Sequence, residues 1–151
     1  MAKRIGKYKV TKRDSALSLI DGGTTAGVIN FASGNLTQTL SETDKDARNI
    51  SISAAEFKTG IIVHTSVTGA GTITIDTAAN LISGLDLTAD NQCATCVYIN
   101  DGNQDVTMSG SVTGVSYADT GAQIKENGSA LLMVRRLTST TVKMYIIGGN
   151  S

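Results

Sequence analysis

Apolar and polar positions alternate along this chain in short runs, most clearly over residues 60–76, GIIVHTSVTGAGTITID. In its first arm Ile61, Val63, Thr65 and Val67 share one face, and Ile62, His64 and Ser66 share the other. In its second arm Ile73 and Ile75 point one way, while Thr72, Thr74 and Asp76 point the other. Side chains alternate across a strand, so a period of two describes a strand with one face buried and one wet. Gly69, Ala70 and Gly71 form a run of small residues able to take positive φ, which predicts a hairpin.

The same grammar extends in both directions. A short apolar run over residues 16–20 is closed by the turn Asp21-Gly22-Gly23, and short strands are predicted over 27–31, 36–40 and 49–53. Residues 41–49, SETDKDARN, are the most polar stretch. Ser41 followed by Asp44 resembles a loose capping box, yet no apolar stripe accompanies it, so a surface loop with at most one helical turn is expected. Residues 54–58 read as a short helical bridge, and 77–87 as a connection whose Leu81, Ile82, Leu85 and Leu87 cover one end of the core. A second hairpin is predicted from 96–99 to 106–108 around Asn100-Asp101-Gly102-Asn103. Residues 131–134 are continuously apolar and read as buried on both faces, and 142–147 close the sheet. About eight to ten short strands without a long helix predict an all-β fold, a sandwich or barrel.

Composition narrows this picture. A chain of 151 residues fits one domain and buries roughly two-thirds of its unfolded surface. With four Tyr, two Phe and no Trp, the core must be aliphatic, which favours packed sheets over an aromatic-lined ligand pocket. The net charge of +0 hides an asymmetry: residues 1–14 carry six basic residues and one acidic, and the remainder sums to −5. A basic N-terminal arm on a mildly acidic single domain, residues 15–151, is therefore expected. No stretch is apolar for long enough to span a membrane as a helix, and no apolar run follows the basic start as a secretory signal would require. Three sequons, at Asn35, Asn49 and Asn127, read as accidents of a chain rich in Ser, Thr and Asn.

The arm itself admits three readings. Tyr8 and Val10 alternate with Lys7 and Lys9. It is a solvated terminus, or an extended tether that pairs with a sheet edge and lays Lys3, Arg4, Lys7, Lys9, Lys12 and Arg13 on an acidic surface, or a nucleic-acid arm. Tyr8 is its only aromatic, which disfavours the last.

Candidate catalytic and metal chemistry is thin. Cys93-Ala-Thr-Cys96 leads into Val97-Tyr98-Ile99, a strand, whereas a redox-active thiol wants a helix N-terminus. Two Cys and one His fall short of the four ligands of a structural zinc site, so the thiols read as small buried hydrophobes, with a local disulfide open to them on oxidation. His64 lacks a nucleophile elbow and an orienting carboxylate, and reads as a hydrogen-bonded strand histidine. The run Asp101 to Asp105 partly matches a calcium loop, but Val106 and Val112 stand where Gly and Glu are needed. Asp44 and Asp46 have no apolar neighbours to raise a pKa. No enzyme, cofactor or metal is expected.

The segments GTITIDTAANLISGLDLT, VYINDGNQDVTMSGSVTGV and GSALLMVRRLTSTTVKMYIIGG resemble β-rich structural modules of tailed-bacteriophage virions, among them capsid decoration (cement) proteins and fibre domains. The likeness covers residues 49–149, with Asn100-x-Gly102-x-x-x-Val106-Thr107 and Tyr145 before the closing glycines as its marks; a Trp common near the last strand of such modules is missing. The resemblance implies a jelly-roll-like β-sandwich, a homotrimer, seated on the capsid exterior after synthesis in a bacterial cytoplasm. Its partner would be the major capsid protein, with the arm (Lys3, Arg4, Lys7, Tyr8, Lys9, Val10, Lys12, Arg13) as the contact, and no membrane or nucleic acid would be involved. The alternative is a head or tail fibre module binding a host receptor or glycan. For that role only Tyr8, Tyr98, Tyr117 and Tyr145 could stack on sugars.

Overall fold

The structure, a computed structural model, describes residues 40–65, 69–108, 110–119 and 121–148. The arm, the apolar run over 16–20, and the strands expected over 27–31 and all of 36–40 except Leu40 lie outside these residues. Residues 38–151 group as one compact unit.

Among the described residues, ten strands and two short helices follow in the order β1 (Ser41–Lys45), β2 (Ile50–Ile52), α1 (Ala54–Thr59), β3 (Gly60–His64), β4 (Gly71–Ile75), α2 (Ala78–Gly84), β5 (Cys93–Asn100), β6 (Val106–Met108), β7 (Val115–Tyr117), β8 (Gln123–Ile124), β9 (Gly128–Arg136) and β10 (Val142–Gly148). They form a six-stranded sheet, β1-β3-β5-β9-β10-β7, and a four-stranded sheet, β2-β4-β6-β8. From β1 to β6 the chain changes sheet at every step, and each circuit lays its strands parallel to those of the circuit before. This is a helical winding of three circuits. The antiparallel strands β8, β9 and β10 close it, with β7 added parallel to β10.

The fold is thus β-rich, as the alternation predicts, but five of its eight strand pairings are parallel. A jelly roll of antiparallel strands has a different order. Both predicted hairpins are corrected for the same reason. Residues 60–64 and 71–75 belong to different sheets, as do 93–100 and 106–108, so the Gly-rich and Asn/Asp-rich turns carry the chain across the core instead of folding it back on its neighbour. The predicted surface loop at 41–49 begins with strand β1, whose polar SETDK sequence suits an exposed edge paired with β3. The connection at 77–87 holds α2, capped by the Thr77 hydroxyl and anchored by buried Leu81.

One core lies between the sheets. Ile52, Ile73, Val106 and Ile124 of the smaller sheet meet Ile62, Tyr98, Leu132, Val134, Val142 and Met144 of the larger. In β3 it is Ile62 and His64 that are buried, while Ile61 and Val63 are half-buried. The more apolar face of this strand is therefore the outer one. In β9 the residues alternate, Ala130, Leu132 and Val134 buried and Leu131 exposed, so 131–134 is a one-sided strand.

Close stacking of the circuits explains particular residues. At Gly71 a Cβ would stand 2.4 Å from the Arg48 carbonyl oxygen, the corner of the preceding circuit. Arg48 in turn donates to the Ala70 carbonyl at 3.1 and 3.0 Å, and the Asn49 Oδ1 accepts from the Thr72 N–H and hydroxyl, both at 3.0 Å. Helix α1 is bounded by a Ser53–Glu56 capping box and by Gly60 at φ 93°. Burial alone would raise the Glu56 carboxyl, but Lys45 and the Ser53 bonds outweigh it and hold the pKa down.

Two buried polar side chains, His64 and Asn100, are neighbours in the β3–β5 register at the end where the chain leaves the larger sheet. The Nε2–H of His64 donates to the Ala47 carbonyl, and its Nδ1 shares a hydrogen bond with the Tyr98 hydroxyl. The Asn100 amide donates to the carbonyls of Gln104 at 2.8 Å and Lys125 at 2.9 Å, while its Oδ1 accepts the Gly102 N–H at 3.2 Å. Replacing Asn100 with Ala strands these groups without partners. The expected loss is about 3 kcal/mol of unfolding free energy in urea titration; a loss under about 1 kcal/mol would show that this side chain does not hold the corner.

Candidate interaction surface

The side chains singled out for chemistry are dispersed and mostly engaged in holding the fold. His64 is a buried, doubly hydrogen-bonded strand histidine. Asp105 accepts from Lys125 at 2.7 Å and from the Glu126 N–H at 3.1 Å, contacts that hold its carboxyl below the usual range. Asn100, in the same turn, faces the core. Among the described residues no group of three His, Cys, Asp or Glu side chains could hold a metal ion. Asp44 lies on β1 and Asp46 just after it, both exposed. Lys3, Arg4, Lys7, Tyr8, Lys9, Val10, Lys12 and Arg13 lie outside the described residues.

Cys93 and Cys96 stand three residues apart in β5, so alternation sends one outward and one inward. Cys93 is exposed and Cys96 buried. Across three strand residues the Cα atoms are about 10 Å apart, beyond the roughly 7 Å limit for a disulfide. The local disulfide open to the sequence is thereby corrected. Of the described tyrosines, Tyr98 is buried and Tyr117 half-buried, its hydroxyl enclosed without a partner among the described residues. Tyr145 alone among them stands on the outer face of its sheet, with the Lys143 ammonium 5.7 Å from the ring centre.

What the strand order does assemble is the outer face of the six-stranded sheet. Register places Ile61 beside Val97, Val97 beside Leu131 and Leu131 beside Ile147. This forms an apolar row across β3, β5, β9 and β10, about 14 Å long at the usual strand spacing. Val63 and Ile99 pair on one side of the row, Met133 and Tyr145 on the other. Val97 and Leu131 are each 36% exposed and Ile147 50%. Leu40, also exposed, lies over Gly60, and a depression of about 110 Å³ opens between Leu40, Thr95, Val97 and Leu131. A second, of about 300 Å³, lies beside it between Phe57, Lys58, Leu85 and Cys93.

Charge borders this patch unevenly. Glu42 and Asp44 of β1 sit in register beside Ile61 and Val63, at one edge. Arg135 and Lys143 pair with each other beyond Met133 and Tyr145, at the diagonally opposite corner. None of these four charges takes part in an ion pair among the described residues. The sequence carried the outward residues of this face but not their company, because cross-strand neighbours 36 or 34 residues apart leave no local signal. Compared with protein-family models, curated proteins and solved structures, the chain finds no match.

Burial pushes the Cys96 thiol up to about 11. The folded chain therefore keeps that proton after the unfolded chain, at about 8.5, has lost it. Its contribution is whole below the unfolded value and is lost as pH climbs through the folded one. Unfolding free energy should fall over this alkaline window by an amount on the order of 3 kcal/mol from Cys96, and the Cys96→Ala protein should lose that part of the slope. Native protein treated with a thiol reagent should modify Cys93 rapidly and Cys96 only on unfolding. Equal rates at both would contradict the assigned faces.

Proposed function

We propose that this chain is a virion structural protein, a capsid decoration protein that binds the outer capsid surface and reinforces contacts between major capsid subunits. The observation that carries the reading, that of a protein working by contact with other protein, is the apolar outer face of the six-stranded sheet, exposed at Val97, Leu131 and Ile147 on three adjacent strands and half-buried at Ile61 on a fourth. Monomeric proteins seldom leave such a contiguous patch in water, and its breadth suits a protein partner better than a small molecule. The resemblance of residues 49–149 to virion modules supplies the particular partner and the homotrimeric state. The +5 charge of residues 1–14 supplies the tether. In this role the protein works by surface burial and strand pairing, without catalysis.

Undecorated capsids provide the test. Deleting residues 2–13 should lower occupancy on the shell at low salt, and the deficit should shrink as salt rises, since screening removes what the deletion removes. Equal occupancy of full-length and shortened protein at every salt concentration would contradict the tether. Failure of the full-length protein to bind any capsid, with binding to a glycan or host surface instead, would favour a fibre module.

A further inference from the structure

We infer that the outer face of the six-stranded sheet is occupied by the same face of a second copy of this chain, acidic corner against basic corner. This deepens the reading of that face as an interaction surface and leaves contact with the shell to the arm.

The face is self-complementary in two respects. Its centre is apolar: Ile61, Val97, Leu131 and Ile147 in one row, with Met133 and Tyr145 alongside. Six strands at the usual spacing make a surface on the order of 500 Å² in projection, approaching the ~800 Å² per partner of stable interfaces. Its two charged corners have opposite sign and lie across the patch from each other. Glu42 and Asp44 hold one and Arg135 and Lys143 the other, with no ion pair to offset either among the described residues.

A partner with one sign of charge would match only one corner and be repelled at the other. A second copy, turned so that its acidic corner meets the first copy's basic one, matches both. Like charges set opposite each other would in turn exclude the wrong orientation. A patch that meets itself is isologous and closes as a two-fold pair, so this contact is distinct from the one that would build the homotrimer.

The test is sedimentation of the full chain across a concentration and salt series, with resistance of Cys96 to thiol reagent as the sign that each variant is folded. Wild-type protein should self-associate, and Leu131→Asp should shift the transition to at least tenfold higher concentration, about 1.4 kcal/mol per decade. Glu42→Lys with Asp44→Lys should weaken association, as should Arg135→Glu with Lys143→Glu. The fourfold variant, whose corners are reversed but again complementary, should recover it. If Arg135→Glu unfolds the chain, Lys143→Glu against Glu42→Lys carries the same comparison. A wild-type protein that stays monomeric throughout overturns the inference and assigns the face to another occupant, residues 1–39 or a shell protein. So does association that is indifferent to Leu131→Asp. Failure to bind capsids with self-association intact would strike the proposed function and spare this inference.

Discussion

The structure depends on one constraint: whenever the chain leaves the larger sheet for the smaller, it must turn beside the core without stranding backbone groups. His64 and Asn100 meet that demand from adjacent strands at the same register. Each is a polar side chain placed where alternation would ask for an apolar one, and each spends its polar atoms on the turn or on a neighbouring strand. Buried amide and carbonyl groups cost free energy unless paired, so these two residues make the corners tolerable. The corners also stack: the Thr65 N–H donates to the Lys45 carbonyl at 2.9 Å and the Asp101 N–H to the His64 carbonyl at 3.0 Å. A winding with locked corners then fixes which strands lie side by side, and hence which side chains share the outer face.

Much of the strand content was legible because a period of two is local. The strands at 50–52, 106–108 and 142–147, the inward Ile73 and Ile75, and the helical bridge after Ser53 all follow from near neighbours in sequence. Pairing was not legible. A Gly-rich turn between two alternating runs describes a hairpin and a crossing between sheets equally well, since both need small residues and tight curvature. The choice rests on β5, which arrives 36 positions later to lie against β3.

The faces of β3 run against hydrophobicity for a related reason. In β3 the more apolar set, Ile61 and Val63, points outward, and the set containing His64 points in. Hydrophobicity assigns faces correctly only when the buried side has no polar work to do and the outer side has no partner. Here the corner breaks the first condition, and the proposed association of copies would break the second. Strand β1 escaped notice because an edge strand with both faces near solvent carries no apolar signature; its place comes from hydrogen bonding to β3 and from Lys45 reaching Glu56. Helix α2 escaped because seven residues are too few to show a helical stripe. Its Gly84, where a Cβ would stand 2.6 Å from that of Ala54, is needed for the close approach of the two helices.

The corner, the winding and the outer face stand or fall with the parallel pairing of β3 and β5. Backbone nuclear Overhauser contacts in isotopically labelled protein read that pairing directly. The account predicts parallel-strand contacts joining Ile62 to the neighbourhood of Tyr98, and His64 to that of Asn100, with none between Val63 and Thr72. Antiparallel contacts between residues 60–64 and 71–75, the pattern of a hairpin, would contradict it.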